Sequence, residues 1–159
     1  METPLMTIFA HHRWANLELV DACDAVPESV LEAVVPGTYG TIRETLHHLV
    51  ELEERYLSAL QPGFEQHPAG ELAALSALRQ RAVRSGQALI EVAAGVRDDQ
   101  RVQTEWAGRS FNLPIGIFLS QAITHAAEHR NQIATILTQQ GVTPPILDAW
   151  TFARESGES

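Results

Sequence analysis

Thr124-His125-Ala126-Ala127-Glu128-His129-Arg130 sets two histidines four residues apart. At about 100° per residue they lie roughly 40° apart on one helix face. Around them Ile115, Phe118, Leu119, Ala122, Ala126, Ile133, Ile136 and Leu137 recur at helical spacing. The pattern predicts a long helix with Asn112 as cap and Pro114 in its first turn, ending at Gly141 before Pro144-Pro145. His129 falls inside the apolar arc and His125 at its edge. Two imidazoles there need a ligand or hydrogen-bond partners. The pair can chelate a divalent ion, or it can be a hydrogen-bonded boundary pair, and spacing alone leaves both open.

Upstream, Thr41-Ile42-Arg43-Glu44 has the form of a capping box that opens a helix running to about Leu60, stopped by Pro62-Gly63. Its apolar arc is Ile42, Thr45, Leu46, Leu49, Leu52, Tyr56 and Leu60, and its adjacent histidines point about 100° apart. His47 falls with Arg43, Glu51 and Glu54 on the expected solvated side. His48 borders the arc beside Thr41, Thr45 and Leu52, from which an imidazole can reach a cavity. A third imidazole there would complete a three-nitrogen site with one open position, the arrangement a catalytic ion needs.

The first helix is expected from about Pro4 to Ala25, with Leu5, Ile8, Phe9, His12, Leu19 and Cys23 along one face. His12 is read as a satisfied core histidine, the alternative being a fourth ligand. His11 and His67 read as surface and loop residues. A third bundle helix is expected from Glu71 to about Val96, weakened by Gly86 and Gly95. From Arg101 to Phe111 the alternation of Val102, Thr104 and Trp106, a turn at Ala107-Gly108 and a return over Ser110 to Asn112 suggest a small hairpin. Leu147, Trp150 and Phe152 are enough for a terminal helix between Ile146 and Ala153 to dock on the bundle. The expected architecture is all-α: one four-helix-bundle domain over 1–155, with a hairpin-like insertion between the third and fourth helices and a disordered tail over 156–159.

Composition narrows the function. A formal charge of −9 repels phosphate backbones and anionic lipid, so neither a nucleic acid nor a membrane is an expected partner. No apolar run approaches the roughly 18 to 20 residues that span a bilayer. The single cysteine, Cys23, excludes an internal disulfide, and without a signal-like amino-terminal stretch the expected location is cytoplasmic. Cys23 also lies on a core-facing stripe, where a thiol is usually inert, so a nucleophilic triad lacks support.

Two metal motifs fail on context. His125-x-x-Glu128-His129 fits the inverted zinc-peptidase pattern, but this chain is too small to add the remaining ligand and a substrate cleft. Glu44-x-x-His47 is half of a carboxylate-bridged di-iron site, and no second Glu-x-x-His exists to complete it.

Trp14-Ala15-Asn16, Thr41-Ile42-Arg43-Glu44-Thr45-Leu46-His47-His48-Leu49, His125-x-x-x-His129-Arg130-Asn131-Gln132-Ile133 and the late Pro145-Ile146-Leu147-Asp148 with Phe152 together resemble the DinB-like, or YfiT-like, family over nearly the whole chain. The resemblance implies an up-down-down-up four-helix bundle with a long connection. It also implies a divalent ion, often nickel or zinc, on three histidines. Alignment on Thr-Ile-Arg selects His48, beside His125 and His129, as the metal ligands. The family includes S-transferases that use low-molecular-weight thiols such as bacillithiol or mycothiol. A metal-dependent thiol S-transferase with a small-molecule substrate is therefore the leading expectation; a metal-dependent hydrolase and a non-catalytic metal-binding stress-response module are the alternatives. Thr45, Leu52 and Gln121 lie near the ligand face as candidate substrate contacts, and Glu128 is a candidate base beside the ion. A homodimer is expected as well, because Ile123 and Ala134 widen the apolar arc of the last bundle helix beyond what one core requires, and the family resemblance points the same way.

Overall fold

The computed structural model describes residues 3–68, 70, 72–106 and 108–157. The elements in chain order are α1 (Pro4–Asp24), α2 (Glu28–Leu31), α3 (Ile42–Leu60), α4 (Leu75–Ala94), β1 (Arg101–Trp106), β2 (Arg109–Pro114), α5 (Ile115–Gln139) and α6 (Ala149–Glu155). The fold is predominantly helical, with one two-stranded sheet among the described residues.

Local chemistry accounts for most of the boundaries. Thr3 caps α1 by accepting from the Met6 N–H, with Pro4 in the first turn. The capping box of α3 is complete: Thr41 Oγ1 accepts from the Glu44 N–H at 3.1 Å, and the Glu44 carboxylate accepts from the Thr41 N–H at 2.8 Å. At the end of α5, Gly141 takes φ +76° while the Val142 N–H reaches Leu137 O and the Gly141 N–H reaches Thr138 O. These two bonds form a Schellman stop, with glycine at the left-handed position.

Four helices make the bundle, and cross-helix pairs set their directions. Tyr39, just before α3, bonds Gln132 near the end of α5, whereas Tyr56 late in α3 lies beside Gln121 early in α5, so these helices are antiparallel. On α1 and α4, Arg13 packs against Gly86 and Asp21 pairs with Arg79, again antiparallel. His47 with Ala73 and Glu54 with Arg81 make α3 and α4 parallel. Leu5 shares a groove with Gly116, and Asn16 accepts from Arg130, so α1 and α5 are parallel too. The order is up, down, down, up. Parallel neighbours joined in sequence require the connection over 61–74 to travel back along the bundle.

Two apolar clusters fill the interior. One gathers Leu19, Leu46, Leu49, Leu78, Ile133 and Ile136; the other gathers Phe9, Leu57, Leu89, Val102, Phe118 and Leu119. On α1, α3 and α4 the residues between them are polar: His12, Asn16, Glu53 and Ser85, all buried.

Several boundaries and faces differ from the sequence reading. Asn112 pairs with Gln103 inside the hairpin, so α5 opens at Ile115 with Pro114 as its N-cap residue. The β-ladder takes residues that helix propensity alone would have assigned to a cap. The α4 helix begins at Leu75, and Glu71, the expected start, lies outside the described residues, as do Ala107 of the hairpin turn and the last two tail residues. Gly86, rather than only weakening α4, admits the Arg13 side chain: a Cβ there would come within 2.6 Å of Arg13 Cγ. His47 and Glu54 are buried at 4% and 1% exposure, not solvated. The reason is tertiary, since α3 packs on both α4 and α5, and Ala73 and His67 from the following connection bond His47 and Glu54. His11 is half-buried beneath the terminal segment, bonded to Leu147 O at 2.9 Å and in ring contact with Trp14 and Phe152.

Candidate metal centre

The α3 and α5 helices bring His48, His125 and His129 together. One ligand-capable nitrogen from each lies within 4.8 Å of the other two. Ring centroids stand 5.1 Å apart for His48 and His125, 4.9 Å for His48 and His129, and 4.3 Å for the α5 pair. The Nε2 atoms of His125 and His129 are 3.0 Å apart, against about 3.3 Å for two nitrogens on one tetrahedral zinc ion. A small adjustment would seat an ion.

Neighbouring groups prepare these rings as ligands. Gln132 Oε1 accepts from His129 Nδ1 at 2.9 Å, which leaves Nε2 as the lone-pair nitrogen facing the cluster. The same Gln132 oxygen accepts from the Tyr39 N–H at 3.1 Å, tying the loop before α3 to α5. Tyr39 in turn stacks on His48, with centroids 4.1 Å apart and planes at 16°. Burial, followed by the neighbouring His129 and His48, lowers the His125 pKa to about 4. Burial and His129 lower that of His48 as well. Neutral imidazole is the form that binds metal.

His12 does not join them. Its Nε2–H donates to Glu53 Oε1 at 2.6 Å, and Asn16 Nδ2 donates to the same oxygen at 2.6 Å. Ser85 Oγ donates to Glu53 Oε2 at 2.7 Å, and Arg130 Nη1 donates to Asn16 Oδ1 at 2.7 Å. His12 is thus a core histidine committed through Nε2 to a buried network, though not fully satisfied as the sequence reading expected, since its Nδ1 has no partner among the described residues. Among the described residues no fourth His, Cys, Asp or Glu enters the three-histidine group. A cavity of about 540 Å³ opens beside His48, bounded by Tyr39, Glu44, His47 and Glu51.

The other sequence candidates separate clearly. Thr45 is buried and its hydroxyl donates to Thr41 O at 2.7 Å, so it is occupied within its own helix. Leu52 is half-buried one turn beyond His48. Gln121 is exposed one turn before His125 and lies near Tyr56. Glu128 is exposed, and its charge reaches His125. His47 donates to Ala73 O at 2.9 Å, and Glu44 is spent in the capping box, so neither belongs to a carboxylate-bridged site. Sequence reasoning missed Glu53, Ser85, Arg130 and Tyr39 as parts of these two sites. The motifs around Asn16 and Arg130 were the available signal, because an asparagine and an arginine at core-facing helical positions need partners.

The DinB family model matches residues 1–158. The chain belongs to the DinB family. No curated protein matches it closely enough to count as a relative. Family membership and the three-histidine cluster together fit a metal-binding DinB-like protein. No helix among the described residues is long and apolar enough to cross a membrane.

Proposed function

We propose that this DinB-family protein is a metal-dependent S-transferase that joins a low-molecular-weight thiol to a small electrophile, with His48, His125 and His129 holding the ion. The observation that carries the reading is the trio itself: three imidazoles gathered within reach of one ion, with His12 withheld by Glu53 and a cavity at the side. A closed structural zinc site would take four protein ligands, and a site meant for chemistry keeps one position for a substrate. A nickel or zinc ion in this cradle would supply Lewis acidity, lowering the pKa of a thiol or of water at the open position.

The protein's own groups do the rest. Gln132 fixes the His129 tautomer, and Tyr39 packs over His48 and limits its rotation. Glu128, exposed and one turn along α5 from His125, would take up the thiol proton at the solvent side. Sulfur attacks an electrophilic carbon, the leaving group departs, and the proton passes to solvent. The competing reading is a hydrolase using the same open position with water; a non-catalytic metal-binding module is the third.

Metal analysis of the purified protein, then conjugation assays with zinc or nickel restored, separates these readings. Metal-dependent loss of free thiol onto an electrophile such as 1-chloro-2,4-dinitrobenzene supports the transferase. Ester hydrolysis without thiol consumption supports the hydrolase, and full conjugation after chelation overturns the mechanism.

The protein is also proposed to be a homodimer through the α1/α5 face. The α6 helix docks on His11 and Trp14 through Phe152, which leaves Ile123 half-buried in a groove with Leu5 and the half-exposed Ile8. Light scattering checks it, and a monomer at high micromolar concentration would remove it.

A further inference from the structure

A second cavity, of about 430 Å³, lies under the hairpin, between the end of α3 and the start of α5. The register of the ladder explains its ceiling. Thr104 faces Phe111 and Val102 faces Leu113, so these two pairs share the inward side of the sheet. Val102 is buried in the core, while Phe111 and Leu113 continue into the chamber wall opposite Ile117 and Phe118 of α5. Phe111 and Ile117 remain 37% and 54% exposed, which is costly for side chains of this size unless something covers them.

An uncharged polar pair, Tyr56 and Gln121, sits at one end of the chamber. Burial raises the Tyr56 phenol above its ordinary pKa of 10.0, so it keeps its proton as a donor. Gln121 adds an amide donor and a carbonyl acceptor. This end faces the three histidines: Gln121 is one turn before His125, about 6 Å along the axis, and Tyr56 is two turns beyond His48, about 12 Å. Arg55 and Glu105, at the exposed edge, carry opposite charges and leave the mouth without net charge.

We infer that this chamber holds the apolar half of an uncharged aromatic small molecule, whose single hydroxyl or carbonyl group bonds Tyr56 and Gln121 and whose other end points to the three-histidine cluster. The volume suits a one- or two-ring compound. Arg55 in the lining is offset by Glu105, so an anionic ligand meets no net positive charge there. The inference rests on the proposed enzymatic reading for what the ligand is, a substrate, but not for whether the chamber binds.

Calorimetric titration with 2-naphthol and with 2-naphthoate tests it, on the metal-stripped protein and on His125→Ala alongside the wild type. Saturable binding of 2-naphthol is expected in all three, with 2-naphthoate at least tenfold weaker. Phe111→Ala and Tyr56→Phe should each weaken 2-naphthol about tenfold, and circular dichroism confirms that both variants fold. Binding that survives in metal-free protein while no metal restores activity would leave the chamber standing and sink the transferase. Metal uptake without 2-naphthol binding would overturn the chamber alone. Equal binding of the naphthoate, or insensitivity to both variants, would overturn it too. So would concentration-dependent dimers that Phe111→Ala dissolves, since a second copy would then be the occupant.

Discussion

His12 and the trio of His48, His125 and His129 lie in the same bundle and have opposite chemical fates. His12 is 1% exposed and meets a carboxylate, Glu53, itself 2% exposed and already bonded by Asn16 and Ser85. The trio meets mostly itself: a 3.0 Å contact within α5, the His48 ring centroid 5.1 and 4.9 Å from those of that pair, and one outer bond from His129 to Gln132. A histidine held by a buried carboxylate is committed through one ring nitrogen, although His12 Nδ1 finds no partner among the described residues, whereas histidines whose nearest polar neighbours are other histidines gain most from a cation. The contrast separates a polar layer that orders the core from a site that awaits a ligand.

The largest expected effect breaks the first half of that contrast. Glu53→Ala strands Arg130 and His12 inside the bundle, and loss of one partner from a buried charged network typically costs ~3–5 kcal/mol. Urea unfolding should show this, and a cost under about 1 kcal/mol would mean that water already serves the network. On the other side, His125→Ala should leave the metal-free fold within about 1 kcal/mol of wild type while weakening zinc binding at least a hundredfold, or about 2.7 kcal/mol. A variant that instead unfolds would make the trio structural.

Gln132→Leu sharpens the comparison by removing only the orienting bond. It should weaken metal binding roughly tenfold without unfolding the protein, in line with the effect of outer-sphere partners elsewhere. A second buried carboxylate gives a pH test. Burial opposes the charge of Glu54, but hydrogen bonds from Arg81 and His67 and the Arg81 charge outweigh it and hold the pKa below its ordinary 4.5. A depressed carboxylate stabilises the fold above its unfolded pKa, and that stability is lost as pH falls through the lower folded value. Wild type should therefore lose stability below about pH 4.5, and Glu54→Gln, weaker at neutral pH, should show a flatter acid limb in thermal unfolding. The smallest effect concerns Cys23: buried, with its thiol pushed up to about 12, it should resist iodoacetamide in the native protein and react once urea is added.

Where a residue's role depends on its own helix, the sequence by itself determined it. The capping box at Thr41 and Glu44, the stop at Gly141, the His125 and His129 pair and the apolar arcs all follow from 3.6-residue periodicity and from local backbone groups that need partners. Motif order added His48 and the bundle topology. Tertiary structure alone decided which polar residues find one another across the core. Glu53 reaches His12 over 41 positions of sequence and Arg130 reaches Asn16 over 114, distances at which no local period carries a signal. It also decided that His47 and Glu54 are buried, because α3 has two helical neighbours and bonds to the connection that follows it, and that Asn112 serves a β-ladder instead of a helix cap. Periodicity shows which face of a helix is apolar; the partners packed against the other faces are set by the path of the whole chain.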